Sequence, residues 1–415
     1  MKASTLPKLV LLAIIILLVG CGNSGESEKH HDAGVAAQKQ GRLAEAIAEY
    51  DKAIQLNPQY ALAYYNRGLA LGNLKRLQQA IENFDQALQL RPEMANAYLY
   101  RGVAYQLLGQ PERALADLDQ AIARQPQDAT AYFNRGEAYF SLGEFPSALA
   151  DYGRAIELNP QLAKAYYKRG LAYRVQEEPQ QAVNDYGQAI RLNPDDAQIY
   201  FQRAAAYVDL GQTQRAIQEL ETAIGLDPKY AQARSSKGFL YLSLGRYYLA
   251  VEEFSQALRL DPQDAGAYRG QGLAYLMLGQ DRPPVEDFDA AYNQEQLYLA
   301  IEDFDQAIQL DPQDGEAYRG RGLAYLILGQ YQAPVEDFDE AYNSGQLRRA
   351  LKDFNQAIRL DPQDAEAYVR RAASLTTLGR DAEARQDLER AIELGSRRTL
   401  VEGNISQLKQ QRPSN

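Results

Sequence analysis

Tryptophan is absent from this 415-residue chain, cysteine occurs once, and histidine occurs only twice, as His30 and His31. A single cysteine cannot form an intramolecular disulfide or build a thiolate cage for a metal ion. With its histidines confined to one end, the chain lacks the base of most Ser/His and Cys/His catalysis and the ligands of histidine-bound zinc. The sequence therefore predicts no catalytic residue, no metal site and no cofactor.

Positive charge is also in the minority, since 44 lysines and arginines accompany 55 aspartates and glutamates and give a formal charge of −11. Nucleic-acid phosphates require clustered lysine and arginine, so we expect no nucleic-acid partner. The acidic groups that begin at Glu286, Glu302 and Glu336 are candidates for acid–base chemistry or a calcium site. They lie in predicted helices without the sharp glycine turn of a calcium loop, so we interpret them as solvated helix faces.

Residues 1–20 form a targeting segment. Lys2 and Lys8 supply positive charge, and the chain from Leu9 to Val19 is an unbroken apolar run. This run is too short to span a bilayer as a helix but is typical of the apolar part of a secretory signal peptide. An uncleaved anchor is the alternative interpretation.

The apolar run ends in Leu18-Val19-Gly20-Cys21, which resembles the lipobox of bacterial lipoproteins. The resemblance implies diacylation of the Cys21 sulfur and cleavage just before Cys21. Together with an amide-linked chain this supplies about three acyl chains, more than the two signals that stable anchoring requires. We therefore expect residues 21–28 to be a lipidated N-terminus and flexible tether. Gly22, in place of aspartate, implies an outer-membrane location facing the periplasm if the envelope is Gram-negative.

Proline marks a repeating unit in the rest of the chain. Seven prolines are spaced 34 residues apart: Pro58, Pro92, Pro126, Pro160, Pro194, Pro228 and Pro262. A fixed period of this length indicates that each repeat is one supersecondary unit. Counting each proline as position 32, the sequence predicts helix A at about positions 1–14 and helix B at about positions 17–30.

Small and large side chains recur at fixed positions of this unit. The small residues at positions 8 and 20 include Gly68, Gly102, Gly136, Gly170, Ala80, Ala114, Ala148 and Ala182. The large residues at positions 11 and 24 include Tyr105, Tyr139, Tyr173, Tyr207, Tyr241, Phe84, Leu118, Tyr152, Tyr186, Leu220 and Phe254. The small residues predict close helix contacts and the large ones the core. Glycine at position 15 predicts the turn between helices A and B, which Glu177 puts in doubt in the fifth repeat.

This pattern resembles the tetratricopeptide-repeat (TPR) family over nearly the whole chain after Cys21. The resemblance implies an all-α fold, a right-handed TPR superhelix (α-solenoid) of about ten helix-turn-helix repeats with a C-terminal capping helix. The expected segments are seven 34-residue repeats over 29–264, two 50-residue repeats over 265–364, a final repeat over 365–396, and a capping helix and tail over 397–415.

Each 50-residue repeat contains a 16-residue insert, at 281–296 and at 331–346. Two residues compete for the closely packed position 20 in each repeat: Pro284 and Pro334 within the inserts, Ala300 and Ala350 after them. Alanine fits this position and proline does not, so we predict that residues 297–310 and 347–360 are the packed B helices. We expect each insert to form an extra short helix beginning near its proline. Tandem duplication and a binding excursion both remain explanations of the inserts.

In the TPR family, positions 2, 5, 6, 9 and 12 of helix A line the concave face, where partner peptides or helices lie. Position 5 carries one large side chain in each repeat from the second to the sixth: Tyr65, Leu99, Phe133, Tyr167 and Phe201. Large side chains at regular spacing are typical of binding hot spots. We therefore predict a protein or peptide partner in this groove. The alternative is that large residues here are a common feature of such helices.

A second pattern concerns charge in the same groove. Some TPR co-chaperones hold a partner's C-terminal carboxylate with a clamp of lysine and asparagine side chains. The resemblance assigns Asn134, Lys164 and Lys168 to three clamp positions, whereas Leu99 and Val103 occupy the other two. Three of the five clamp positions are therefore matched, and ordinary surface lysines are the alternative. Large side chains and positive charge coincide between the third and sixth repeats, where we predict binding.

Arginine recurs at position 7 and an acid or asparagine at position 23. The arginines are Arg67, Arg101, Arg135, Arg169, Arg203, Arg321 and Arg371. The position-23 residues are Glu49, Asn83, Asp117, Asp151, Asp185 and Glu219. Position 23 neighbours the packed stripe of helix B, so we predict partly buried arginine–carboxylate pairs with a structural role.

These features indicate a non-catalytic adaptor that is anchored through Cys21 to a membrane of a bacterial cell envelope and binds partner proteins. The resemblance is to envelope TPR lipoproteins that recruit peptidoglycan enzymes or help assemble pili and outer-membrane proteins. The alternatives are a self-assembling structural scaffold and a non-catalytic subunit of an enzyme complex.

Overall fold

The computed structural model describes residues 25–280, 290–330 and 340–410, and the regular structure in these ranges is entirely α-helical. No helix in the described part of the chain is long and apolar enough to cross a membrane. The predicted signal peptide and Cys21 lie outside the described residues.

The chain divides into two compact units, Met1–Gly211 and Gln212–Asn415. The helices of the first unit are α1 (25–39), α2 (Leu43–Leu56), α3 (Ala61–Asn73), α4 (Leu77–Leu90), α5 (Ala95–Leu107), α6 (Pro111–Arg124), α7 (Ala129–Ser141), α8 (Phe145–Leu158), α9 (Ala163–Val175), α10 (Pro179–Leu192) and α11 (Ala197–Asp209). The helices of the second unit are α12 (Thr213–Leu226), α13 (Ala231–Ser243), α14 (Tyr247–Leu260), α15 (Ala265–Gln280), α16 (Ala290–Leu310), α17 (Gly315–Gln330), α18 (Glu340–Leu360), α19 (Ala365–Thr377), α20 (Asp381–Glu393) and α21 (Arg398–Gln410).

Helices α1 to α20 alternate as the A and B helices of ten successive repeats, and α21 follows the last repeat. In α21, Val401 and Ile405 are buried and pack in one cluster with Leu375 and Leu388 of the tenth repeat. This helix therefore covers the apolar side that a terminal repeat would otherwise expose. The prediction of an all-α fold of about ten helix-turn-helix repeats with a capping helix is confirmed.

The predicted small-and-large packing explains why helices A and B lie close together. A Cβ atom added to Gly68 would lie 2.7 Å from a ring carbon of Phe84, and one added to Gly136 would lie 2.8 Å from Tyr152. Both rings are buried, as is Ala80 at position 20. Only glycine at position 8 leaves room for the ring, so positions 8, 20 and 24 form one interlocked contact in the repeats that carry a ring at position 24. Burial of each large side chain contributes roughly 1.5–3 kcal/mol.

Position 11 differs in part from its predicted core role. Tyr105 and Tyr241 are buried, but Tyr139, Tyr173 and Tyr207 are only half buried. Their rings lie at the edge of the core, where position-7 arginines approach them; the guanidinium of Arg135 is 5.9 Å from the centre of the Tyr139 ring. A tyrosine at this edge can bury its ring while its hydroxyl remains near water.

The turn between helices A and B keeps one backbone conformation even without glycine. The position-15 glycines of the repeats without an insert have positive φ, for example 71° at Gly109 and 78° at Gly143. In the two long repeats, Gly279 and Gly329 at this position lie inside the extended helices α15 and α17 instead. Lys75 and Glu177 adopt the same left-handed conformation, with φ of 61° and 58°. The turn at Glu177 is therefore formed as in the other repeats, at a cost of about 1 kcal/mol for a side chain in this region.

The two long repeats place their additional residues differently from our prediction. Residues 297–310 and 347–360 are helical, and Ala300 and Ala350 are fully buried, so the predicted B helices are confirmed. The described part of each insert, however, does not form a separate short helix. It continues helix B, which has 21 residues instead of 14.

The sequence contains no proline between the start of α16 and Ala300, so nothing ends the helix where the insert meets the repeat. Helix A is also longer in these repeats, with 16 residues instead of 13. The extension brings Gly279 against Leu297, where an added Cβ would lie 2.9 Å from the leucine side chain. Pro284 and Pro334 lie outside the described residues.

The predicted tether is shorter than expected at its C-terminal end. Residues 25–28, which we assigned to the tether, belong to α1. Ser27 is fully buried, and its hydroxyl donates a hydrogen bond to the carbonyl of Ala53 at 2.9 Å. This bond attaches the first turn of α1 to α2, so the folded body begins before residue 29.

Candidate functional site

The predicted position-5 residues of the groove are only partly available to a ligand. The rings of Tyr65, Phe133 and Tyr167 are half buried and lie 6.1, 5.9 and 6.0 Å from the buried position-24 rings of their own repeats. Phe201 is also half buried. Each ring therefore presents one edge to the surface while the other side packs against the core.

Leu99 is an exception and corrects the predicted set. Its side chain is only 3% exposed and belongs to a core cluster with Tyr105 and Leu118. An aliphatic side chain is shorter than an aromatic ring and ends inside the contact between helices, so Leu99 offers almost no surface to a partner.

The three clamp-like residues have different environments. The Asn134 amide donates to the carbonyl of Thr130 in the preceding turn at 2.8 Å. The Lys168 ammonium lies 2.6 Å from the Glu137 carboxylate, which also accepts the hydroxyl of buried Tyr152. Lys164 is exposed. An incoming carboxylate would compete with Glu137 for Lys168, so Lys164 is the better placed of the two cations.

Polar contacts also join neighbouring A helices in the first unit. The Gln106 amide donates to the carbonyl of Glu137 at 3.0 Å and to the hydroxyl of Ser141 at 2.8 Å. The Arg174 guanidinium donates to Asp209 at 2.8 Å. We did not predict these contacts, although Gln106 and Arg174 occupy position 12 of the expected groove. They fix the spacing of the A helices whose side chains form this face.

The predicted arginine–carboxylate pairs are confirmed in several repeats. Arg135 donates two hydrogen bonds to Asp151, at 2.7 and 2.8 Å. Equivalent two-bond contacts are those of Arg101 with Asp117, Arg169 with Asp185, Arg321 with Asp353 and Arg371 with Asp387. The hydrogen bonds that Arg135 donates to Asp151 raise the pKa of Arg135 above its usual value. The arrangement is bidentate, the stronger form of such pairs.

Several of these position-7 arginines also donate to a second acid, which we did not predict. Arg135 donates to Asp119 at 2.7 Å, and Arg101 donates to Asp85 at 2.5 Å. These acids occupy position 25 of the preceding repeat, 16 residues before the arginine. One guanidinium thus connects the B helices of two consecutive repeats. In the seventh repeat Lys237 takes this role, with Glu253 at 3.0 Å and Glu221 at 3.3 Å.

The eighth repeat lacks the cation of this series. Position 7 is Gln271, and the acid at position 23 is Asp303. With the Gln271 amide oxygen accepting the Ser255 hydroxyl, its nitrogen lies 3.2 and 3.3 Å from the two Asp303 oxygens. Burial, with a smaller contribution from the charge of Glu302, raises the pKa of Asp303 to about 8. A neutral amide cannot compensate a buried carboxylate as arginine does.

The A-helix side of the second unit contains a concave groove that we did not predict. The groove has a volume of about 490 Å³ and lies between the A helices of the last three repeats and α21. Its apolar lining includes Leu323, Ile327, Val369, Ala373 and Leu408. Its polar lining includes Gln330, Arg370 and Gln407. Apolar side chains form part of the lining, but polar groups contribute more of its exposed surface, so the groove suits a segment that makes both apolar contacts and hydrogen bonds.

Three repeat-family models match most of the chain. The model described as TPR repeat matches residues 38–75, 107–143, 136–176 and 238–279. Two models described as tetratricopeptide repeat match residues 61–94 and residues 167–231, 287–342 and 335–398. Together these ranges cover well over half of the chain. Among curated proteins, none matches it.

Several solved structures are similar to part of the chain. YrrB, described as a TPR protein with an unusual peptide-binding site, is 28% identical, with a TM-score of 0.39 over 48% of this chain and 95% of YrrB. PilW, a type IV pilus biogenesis factor, is 21% identical, with a TM-score of 0.47 over 50% of this chain and 96% of PilW. A tetratricopeptide repeat protein from Parabacteroides merdae is 20% identical, with a TM-score of 0.47 over 69% of this chain and all of that chain.

Proposed function

Because the chain belongs to the tetratricopeptide-repeat family, we propose that it is a non-catalytic scaffold that binds a partner protein or peptide on its A-helix face. The groove of about 490 Å³ in the second unit is the observation that carries this proposal. Its apolar side chains are half buried by the fold, so a partner segment placed there removes further apolar surface from water. The polar residues at its edge can bond the backbone of an extended segment.

The first unit supports a second contact of the same kind. Phe133 and Tyr167 present ring edges on the A-helix face, and Lys164 adds an exposed positive charge beside them. An acidic or C-terminal carboxylate on the partner is attracted there, although the chain as a whole is acidic. We propose that binding in this region depends on Lys164 more than on Lys168, since Lys168 already has an acidic neighbour.

A photoreactive amino acid placed at Ile327 tests the groove in the second unit. The expected result is a crosslinked adduct of defined mass in native membranes. The same group at Tyr248, which is 64% exposed on a B helix, is the control and is expected to give no such adduct. A partner that crosslinks at Tyr248 and not at Ile327 contradicts the proposed face.

We further propose that lipid on Cys21 holds the protein at a membrane of the bacterial cell envelope, with the repeats outside the bilayer. The support is the sequence around Cys21, where the chain has its only cysteine. Cys21→Ala is expected to abolish incorporation of labelled fatty acid and to leave an uncleaved precursor or a released protein. Ser24→Ala is the matched control and is expected to retain the label. Equal labelling without Cys21 refutes lipid anchoring.

A further inference from the structure

Two equivalent helices of the second unit carry opposite charge on their exposed sides. Helices α16 and α18 are the B helices of the two 50-residue repeats and have the same length. In α18 the exposed residues include Arg348, Lys352 and Arg359. At the same places α16 carries Tyr298, Glu302 and Gln309. The fold needs no positive charge at these places, because α16 packs equally well without it.

The cations of α18 form one continuous stripe. Arg348, Lys352, Asn355 and Arg359 are spaced at i, i+4, i+7 and i+11, which places them within about 60° on one helix face and over about 16 Å. They line a groove of about 610 Å³ together with Tyr318, Leu351 and Gln356. We call this surface the basic groove. It is separate from the A-helix groove, since it lies along a B helix.

The cations of the stripe differ from Arg321 and Arg380 in forming no ion pair within the described part of the chain, although Asp353 follows Lys352 in the sequence and also lines the groove. Arg321 pairs with Asp353, and Arg380 donates to Glu383 at 2.7 and 2.6 Å. Among the described residues, no carboxylate oxygen lies within 4 Å of the charged nitrogens of Arg348, Lys352 or Arg359. Three adjacent positive charges on a protein of net charge −11 create a local field that attracts an anionic ligand.

We propose that the basic groove binds an acidic, extended polypeptide segment of a partner protein. Arginine holds carboxylates with two parallel hydrogen bonds, and the side chains of Asn355, Gln356 and Tyr318 can bond the peptide backbone. An extended chain can enter a concave site, whereas a flat membrane surface would contact only the residues at the rim of the groove. This inference adds a further binding surface to the scaffold, which shares no lining residue with the A-helix groove.

The test measures fluorescence anisotropy of a labelled glutamate decapeptide with the full-length protein in detergent, at about 150 mM salt. Saturable binding is expected, and a serine decapeptide should not bind. Arg348→Glu with Lys352→Glu and Arg359→Glu should weaken binding at least about tenfold. The control makes the same charge change at exposed cations elsewhere, Lys39→Glu with Arg191→Glu and Lys229→Glu, and should change binding less than about twofold.

Equal weakening by the two triple variants means that only overall charge matters, and it overturns the proposal. Binding to phosphatidylglycerol vesicles but not to the peptide also overturns the proposal. So does the absence of peptide binding in a protein whose self-association, measured by sedimentation, disappears in the triple glutamate variant of the stripe. If the glutamate variant loses helicity, the variant with glutamine at the same three positions replaces it. Ile327→Lys should leave peptide binding unchanged, which separates this proposal from the A-helix groove.

Discussion

Replacing Asp303 with asparagine should stabilise the second unit at neutral pH. In the ninth repeat the equivalent Asp353 receives two hydrogen bonds from Arg321, at 2.8 and 2.7 Å. Asp303 has only the neutral Gln271 amide in that place. Burial raises its pKa to about 8, so the folded protein retains a proton that the unfolded chain releases near pH 4.

The sign and size of the effect follow from proton linkage. Between about pH 4 and pH 8 the unfolded chain is ionised at Asp303 and the folded protein is not, so stability falls by up to about 1.36 kcal/mol per pH unit. At pH 7 the accumulated loss of unfolding free energy is at most about 4 kcal/mol. Asp303 retains some contact with water, which lowers the expected gain from asparagine to roughly 2–3 kcal/mol. Below about pH 4, where the carboxyl becomes neutral in both states, the gain should approach zero.

The assay is urea unfolding of both proteins, followed by circular dichroism from about pH 4 to pH 9. Asp353→Asn is the matched control, because it breaks a bidentate pair with a partly buried arginine and should destabilise the protein at neutral pH. An Asp303→Asn effect that does not change with pH, or that has the same sign as the Asp353→Asn effect, refutes the reasoning.

Three further predictions concern other parts of the chain. Glu177→Gly should stabilise the fifth repeat by about 0.5–1 kcal/mol, because it removes a side chain from a left-handed turn. The control Glu82→Gly, inside α4, should destabilise the protein by about 1 kcal/mol, and the urea unfolding midpoints of the two variants test the difference. Arg135→Ala should cost roughly 2–4 kcal/mol of unfolding free energy because it leaves Asp151 buried without its cation, and a loss below about 0.5 kcal/mol would show that the pair is not structural. Lys164→Glu should slow partner association and reduce the salt dependence of its rate without changing stability. Lys168→Glu should also lower the melting temperature, because the new carboxylate is repelled by Glu137. Equal melting temperatures and unchanged association rates would exclude this patch as a binding site.

The sequence was sufficient to predict the repeat and its core because both depend on local spacing. Glycine at position 8 and a ring at position 24, as in Gly68 and Phe84, can pack against each other only when helices A and B lie close together. The partners of the arginines were harder to predict, since Arg101 has an acid 16 residues before it and another 16 residues after it, Asp85 and Asp117. The fold uses both, which requires knowledge of how consecutive repeats stack.

The candidate site was predicted less completely, because exposure depends on neighbouring repeats. Leu99 and Phe133 occupy the same position of the repeat, yet the leucine is buried and the ring keeps an exposed edge. The groove around Ile327 escaped prediction because it forms only when α21 closes one side of the last repeats. Its residues, such as Val369 and Leu408, are ordinary apolar residues in the sequence and acquire a shared surface only in the fold.

The central claim is that the A-helix face of the repeats binds the partner. Ile327→Lys and Met277→Lys test it most directly, since the two residues occupy equivalent positions in the duplicated repeats and are both half buried, but only Ile327 lines the groove. The measurement is the dissociation constant of the partner captured at Ile327, determined for both variants with helicity verified. We predict that Ile327→Lys weakens binding by about tenfold or more and that Met277→Lys leaves it within about twofold. Equal affinity of the two variants would contradict the account.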